Sequence, residues 1–137
     1  MRSILILSLV VLAGCRTKEE KLQAEYLIAL RADLLAYAGS DAEAAYKEKQ
    51  KFIDHVHELA KAGADIPVKD LDVWEYARLA LLADHLGRKD QASQYFALAV
   101  TNAEKANPES AGKIDERALR AALDQMDTPD KFAWRRK

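Results

Sequence analysis

The chain has 137 residues, of which half are hydrophobic and 31% are charged, a composition typical of one small globular domain with a modest core. Its formal net charge is −1, so no global electrostatic field recruits nucleic acid or an anionic membrane. The single cysteine excludes an internal disulfide bond, and the scarcity of glycine and proline favours a helical chain.

The first residues have the features of a secretory signal peptide. A basic start is followed by an apolar run from Ile4 to Ala13, which is interrupted only by Ser8. The run is too short to span a bilayer, which needs about 20 apolar residues, but it has the length of a signal-peptide apolar region. Small residues precede Cys15, where a signal peptidase needs room near the backbone. We therefore expect residues 1–14 to be removed.

Leu12-Ala13-Gly14-Cys15 ends this run and resembles the lipobox of bacterial lipoproteins, with all four positions matched. The resemblance implies cleavage between Gly14 and Cys15, a diacylglyceryl group on the Cys15 sulfur and acylation of its new amino group. Two or three acyl chains on one residue would hold firmly, because each buried methylene contributes ~0.8 kcal/mol. Arg16 follows instead of aspartate, which implies the outer membrane, with the domain facing the periplasm. The alternative is an ordinary secretion signal, or an uncleaved anchor, with an incidental cysteine.

A short acylated linker is predicted at residues 15–20, and a first helix over about 18–38 already begins within it, so the domain would lie close to the lipid surface. On a helical wheel its apolar residues share one broad side, which we expect to be buried. They are Ala24, Leu27, Ile28, Leu30, Leu34, Leu35 and Ala38. Gly39-Ser40 ends this helix, and Asp41 is predicted to cap the next one.

The second helix is predicted over about 41–62 and ends at Gly63 and Pro67. Its apolar stripe consists of Ala42, Ala45, Tyr46, Phe52, Ile53, Val56 and Ala60.

Asp72 is predicted to open a third helix over 73–86, with Glu75 at capping-box spacing. This segment is apolar nearly all round, so we expect it to be central, with neighbours on several sides. Gly87 ends it, and a fourth helix follows over about 90–106.

Asn107-Pro108-Glu109 combines a cap, a proline and an acid, and predicts the start of a fifth helix that runs to about Met126. No stretch alternates with period two for long enough to be a strand. The predicted fold class is therefore all-α, with about five helices.

Residues 73–106 resemble a tetratricopeptide-type helical hairpin, with Gly87 as the turn glycine. The matching aromatic, leucine and small positions are Tyr76, Leu79 and Ala80 in the first helix, and Ala92, Phe96 and Ala99 in the second. The resemblance implies stacked helical hairpins over residues 21–137, in which a fifth helix closes two hairpins. A plain five-helix bundle is the alternative.

The histidines do not form an obvious metal site. His55 and His57 point roughly 200° apart on a helix and cannot chelate one ion. Asp54, His57 and Glu58 have a spacing that could meet a cation, but a solvated helix face explains them as well. No nucleophile elbow and no glycine-rich phosphate loop is present in the sequence. We therefore predict no enzyme activity, no metal and no cofactor.

Two cations interrupt the predicted apolar stripes: Arg31 in the first helix and Lys49 in the second. An antiparallel hairpin would bring them to one level, and two buried cations would not coexist unpaired. One explanation is a partly open groove that recognises an acidic segment or carboxylate. Another is that acids such as Asp33 and Asp84 approach. The interpretation that the pattern favours is that long stems lie along the core while the charged heads reach water.

The tail, residues 131–137, has four cations, two aromatic residues and no acid. Tryptophan beside basic residues suits anionic lipid headgroups or an acidic protein patch. Alternatively, Phe132 and Trp134 pack on the fifth helix. The candidate lipid or partner contacts are Lys131, Trp134, Arg135 and Arg136.

These features predict a lipid-anchored envelope lipoprotein that acts as a protein–protein adaptor or assembly factor. The expected partners are membrane lipid, through acylated Cys15, and an unidentified envelope protein; no nucleic acid is expected. The tetratricopeptide resemblance implies a groove lined by the first helix of each hairpin. The candidate partner contacts are Tyr26, Arg31, Lys49, Trp74 and Arg78. The alternative is an immunity- or exclusion-type lipoprotein that binds one cognate protein.

Overall fold

The computed structural model describes residues 16–136, and in this range the chain is helical and has no strand. The predicted all-α class with about five helices is confirmed. The predicted signal peptide (residues 1–14) and Cys15 lie outside the described residues. The helices are α1 (Lys18–Ala38), α2 (Ala42–Lys61), α3 (Val68–His85), α4 (Lys89–Ala106) and α5 (Glu116–Met126), with 3₁₀ turns at Pro108–Ser110 and Ala133–Arg135.

Helix α3 lies at the centre of the fold, as predicted. It packs against α2, α4 and α5, and its contact with α4 is the most extensive in the described part of the chain. Ala80 of α3 and Ala99 of α4 are fully buried, next to the buried rings and aliphatic chains of Phe96 and Leu82. Small side chains at these positions let the two helix backbones approach closely, so α3 and α4 form the tightest hairpin.

The turn between α3 and α4 is a Schellman motif. The Arg88 N–H donates to the Ala83 carbonyl at 2.8 Å, and the Gly87 N–H donates to the Asp84 carbonyl at 3.0 Å. Gly87 has a φ of 77°, which is the left-handed conformation that this motif requires. The predicted role of this glycine in reversing the chain is therefore confirmed.

Helix α3 begins earlier than predicted. It starts at Val68, directly after Pro67, so Asp72 lies inside the helix and does not cap it. The Asp72 carboxylate is instead hydrogen-bonded to the ring of His57 on α2, at 2.8 Å. The prediction of a cap at Asp72 was wrong, because this side chain joins two helices.

For two other helices, the predicted start of α2 is confirmed and the predicted start of α5 is wrong. The Ala44 N–H donates to the Asp41 carboxylate at 3.0 Å, which confirms the predicted cap of α2. The segment after Asn107 forms only a 3₁₀ turn, and α5 begins later, where Asp115 accepts a hydrogen bond from the Ala118 N–H at 2.8 Å. Gly112, with a φ of 75°, separates the two segments. None of the described helices is long and apolar enough to cross a membrane.

Candidate interaction surface

Helix α1 turns its broad apolar side toward the solvent. Leu27, Ile28, Leu34 and Leu35 are 54%, 70%, 52% and 67% exposed, and Arg31 lies among them. We call these five residues the α1 stripe. The expectation that this side of α1 is buried was wrong. Apolar side chains that remain this exposed form a candidate docking surface.

The opposite side of α1 faces the protein and contains polar groups. Asp33 and Tyr37 are the buried residues of this helix, at 1% and 2% exposure. Lys49 of α2 is also buried, at 1%, and its ammonium donates to the Asp33 carboxylate at 2.5 Å. If α1 turned its apolar stripe inward, Lys49 would lose this partner and keep only Glu75 of α3, and breaking a buried ion pair is strongly destabilising. The pairing of Lys49 with Asp33 therefore favours the observed orientation of α1.

Asp33 and Lys49 belong to a larger buried charge cluster that crosses the core. Lys49 also donates to Glu75 of α3. Arg78 donates to Glu75 at 2.9 Å and, through its Nε, to Asp127 at 2.8 Å. Tyr37 donates its hydroxyl hydrogen to the same Asp127 oxygen at 2.8 Å. The buried charge cluster, which ties α1, α2, α3 and the segment after α5 together, consists of Asp33, Tyr37, Lys49, Glu75, Arg78 and Asp127.

Burial changes the acid–base behaviour of this cluster. Desolvation raises the pKa of Asp33 above its ordinary value, although Lys49 opposes the shift. Burial and the neighbouring Asp127 charge raise the pKa of the Tyr37 hydroxyl. Asp33 Oδ1 has no hydrogen-bond partner in the described part of the chain. Because the cluster is enclosed and nearly satisfied internally, it fixes the helices in place and offers no binding site.

Two members of the buried charge cluster, Lys49 and Arg78, were predicted to contact a partner protein. Lys49 is too deeply buried to touch a partner protein, so its assignment as a partner contact is corrected. The prediction that the Lys49 ammonium reaches water was wrong as well. The ammonium is paired with Asp33, which is one of the two acids that were expected to approach the cation. Asp84 pairs instead with cations of α4 and α5. Arg78 is only partly exposed and is held by two carboxylates. The role of Glu75 in the cluster was not predicted, because capping-box spacing already explained that residue.

The remaining predicted partner contacts do not form one surface. Tyr26 is half-buried and stacks on Phe52 with ring centroids 6.4 Å apart. Trp74 is half-buried and packs against the core. Arg31 is exposed on the opposite side of α1 from Tyr26, and it makes no ion pair within residues 16–136. Only Arg31 lies on the candidate interaction surface.

The tail folds back onto the end of α1. Trp134 is 4% exposed, and its ring lies 5.5 Å from that of Tyr37 and 5.3 Å from that of His85. The Trp134 backbone N–H donates to the Gly39 carbonyl at 3.0 Å. A buried Trp134 cannot insert into lipid or touch a partner, so this predicted contact is corrected. The aromatic residues of the tail pack on the domain, as the alternative prediction had it. Their ring contacts are with Tyr37 and His85, neither of which lies in the fifth helix.

Of the three described basic residues of the tail, one is held within the domain and two are exposed. Arg135 donates to the Leu123 carbonyl at 3.3 Å and also pairs with Asp124, so it is held within the domain. Lys131 and Arg136 are exposed, and Arg136 donates to the Pro129 carbonyl at 3.0 Å. Of the four predicted tail contacts, these two remain accessible.

A groove of ≈ 380 Å³ runs beside the α1 stripe, between α1 and α2. Its lining residues are Glu25, Ile28, Ala29 and Ala32 of α1 and Glu48, Lys51, Phe52 and His55 of α2. Ile28 belongs to both the groove and the stripe, so the apolar surface of α1 continues into a groove whose α2 side is mostly polar. This shape can receive an elongated amphipathic ligand such as a helix.

The arrangement of the described residues is suited to binding through apolar contact. Within residues 16–136 no three histidine, cysteine or acidic side chains lie close enough together to hold a metal ion. Comparison with known proteins adds no assignment: no protein-family model, curated protein or solved structure matches this chain.

Proposed function

We propose that this protein is a lipid-anchored component of a bacterial cell envelope that acts as an adaptor, holding another envelope protein against the α1 stripe. The observation behind this proposal is the exposure of four large aliphatic side chains, between 52% and 70%, on one side of one helix. A contiguous exposed apolar patch marks a site of interaction, because its burial on binding is favourable.

The position of α1 in the chain supports the anchor. Helix α1 begins at Lys18, so only residues 16 and 17 separate it from Cys15 of the lipobox-like sequence. Thr17 caps the helix, and Glu20 completes a capping box with it, so the helix starts firmly at this point. Acyl chains on Cys15 would therefore hold the start of α1 at the membrane surface.

The packing of α3 on α4 supports the tetratricopeptide-like interpretation. The small and aromatic residues on which the resemblance rests are buried at this crossing, with Ala80 and Ala99 at 0% and Phe96 at 1%. The proposed docking surface is nevertheless the outer side of α1. The predicted groove along the first helix of each hairpin is not open to a partner at Arg78, because Arg78 is held in the buried charge cluster.

The experiment compares the full chain with its Cys15→Ala variant in bacteria, using an alkyne analogue of palmitate and intact-mass analysis. A photo-crosslinking amino acid replaces Leu34 in the stripe or, as a matched control, Leu98, an exposed leucine of α4. We expect acylation that requires Cys15, and a crosslinked protein that forms from position 34 and not from position 98. An unmodified Cys15, or the same adducts from both positions, would contradict the proposal.

A further inference from the structure

We propose that the occupant of the α1 stripe is an amphipathic helix of the partner protein, with an acidic side chain in the middle of its apolar side that pairs with Arg31. The existence and location of the partner rest on the proposed function above.

The spacing of α1 residues fits a helix lying along it. Ala24, Leu27, Arg31, Leu34 and Ala38 follow one another at alternating intervals of three and four residues, which is the seam spacing of two packed helices. Ile28 and Leu35 widen this seam on the side of the α1–α2 groove, and alanine at both ends allows close approach. A partner helix can therefore contact α1 along its length.

Arg31 determines the chemistry required at the centre of the seam. It is exposed and makes no ion pair in the described part of the chain, so water solvates its guanidinium in the free protein. A partner that covers the stripe removes this water, and a charge desolvated without a partner is costly. A carboxylate on the partner helix would restore the lost hydrogen bonds with favourable geometry.

A second copy of this chain fits the stripe poorly. Leu27 and Leu35 lie four residues on either side of Arg31, and Ile28 and Leu34 lie three residues on either side. An in-register parallel pairing of two α1 helices, or an antiparallel pairing centred on the stripe, therefore places Arg31 opposite Arg31. Like charges at the centre of an interface are destabilising.

A lipid surface also fits less well than a protein. The charged residues of α1 apart from buried Asp33 are balanced, with cations at Lys18, Lys21 and Arg31 and acids at Glu19, Glu20 and Glu25. A helix that lies on an anionic membrane usually has an excess of lysine and arginine on its polar side. Trp134, the tail residue best suited to a membrane interface, is buried.

The test uses the full chain in phosphatidylcholine nanodiscs and three fluorescent helical peptides of equal length. The first peptide has a Leu/Ile seam with a central glutamate, the second has lysine in its place, and the third is the chain's own residues 18–38. We expect the glutamate peptide to bind at least about tenfold more tightly than the lysine peptide by fluorescence anisotropy, since one misplaced charge costs more than a kilocalorie. Arg31→Glu should reverse this preference, Arg31→Gln should abolish it, and Arg117→Glu, at an exposed position on α5, should leave it unchanged.

Three results would overturn the inference. Equal affinity for the glutamate and lysine peptides would mean that Arg31 does not select the partner. Tighter or equal binding of the 18–38 peptide would assign the stripe to a second copy of this chain. A blue shift of a dye at position 34 in phosphatidylglycerol nanodiscs without peptide would assign it to lipid. If the charge preference fails while Cys15 is acylated and position 34 still crosslinks, the proposed function stands and only the inference falls.

Discussion

The two sides of α1 reverse the usual arrangement of a surface helix. The inner side has a buried aspartate and tyrosine, whereas the outer side has four exposed aliphatic residues around an arginine. A surface helix normally buries its apolar side and exposes its polar side. The difference shows that pairing a buried charge can determine how a helix is rotated, and that this rotation can leave an apolar surface for another molecule.

Lys49 and Arg31 each interrupt an apolar stripe in the sequence, but one is buried and the other is exposed, so matched substitutions test this comparison. Replacement of Lys49 by methionine leaves Asp33 and Glu75 buried without their shared cation, and we expect it to lower the free energy of unfolding by about 3–5 kcal/mol. The matched change Arg31→Met, at an exposed position, should alter it by no more than about 0.5 kcal/mol. Urea denaturation of both variants measures the difference.

A double variant sharpens that result. Lys49→Met combined with Asp33→Leu removes one buried carboxylate together with the cation and should recover part of the lost stability, while Glu75 keeps its bond to Arg78. If Lys49→Met were as stable as the wild type, the cluster would not hold α1 in its orientation.

The tail offers a second comparison between buried and exposed residues. Trp134→Ala should lower the free energy of unfolding by about 3 kcal/mol, because it leaves a cavity against Tyr37 and His85. Lys131→Ala, at an exposed position, should change it by less than about 0.5 kcal/mol. Thermal denaturation distinguishes the two, and equal melting temperatures would show that the tail does not pack on the domain.

The pH dependence of stability tests the environment of Asp33, which faces Lys49, Glu75 and Arg78. Because desolvation raises the pKa of Asp33 in the folded state, its favourable contribution is present below the ordinary aspartate pKa of about 3.9. That contribution is lost as the pH rises through the higher folded-state pKa. The Asp33→Asn variant should lack this decline. Carbon NMR of the Asp33 carboxyl gives the pKa directly, and a value below the ordinary one would contradict this description.

The smallest expected effect is on the outer side of α1. Leu34→Gln should leave the free energy of unfolding within about 0.5 kcal/mol of the wild type, since this side chain is 52% exposed. The control Leu82→Gln places a polar group at a fully buried position of α3 and should be strongly destabilising. A large loss of stability for Leu34→Gln would mean that this side of α1 is packed within the domain.

Local signals in the sequence were enough to predict parts of the fold. The bounds of α1 and the cap at Asp41 follow from residues close in sequence, and both are confirmed. The predicted start of α3 was wrong, because the carboxylate of Asp72 is chemically able either to cap a helix or to bind a histidine that is distant in sequence. Only the position of His57 on α2 decides between these roles.

The orientation of α1 could not be predicted from α1 alone. Its apolar residues outnumber the polar ones on the side that proves to be exposed, so a rule based on apolar periodicity selects the wrong side. The group that decides the orientation, Lys49, lies on another helix. The one usable signal was this cation within the apolar stripe of α2, together with Asp33 as an acid able to approach it.

Hydroxyl-radical footprinting of the unmodified full chain, in phosphatidylcholine nanodiscs, tests the orientation of α1 most directly. We expect the exposed residues Leu27, Ile28, Leu34 and Leu35 to be oxidised much faster than buried Leu79 and Leu82, and Tyr37 to be protected despite its higher intrinsic reactivity. Protection of the four stripe residues with rapid oxidation of Tyr37 would contradict the observed orientation, because α1 would then have its apolar side in the core.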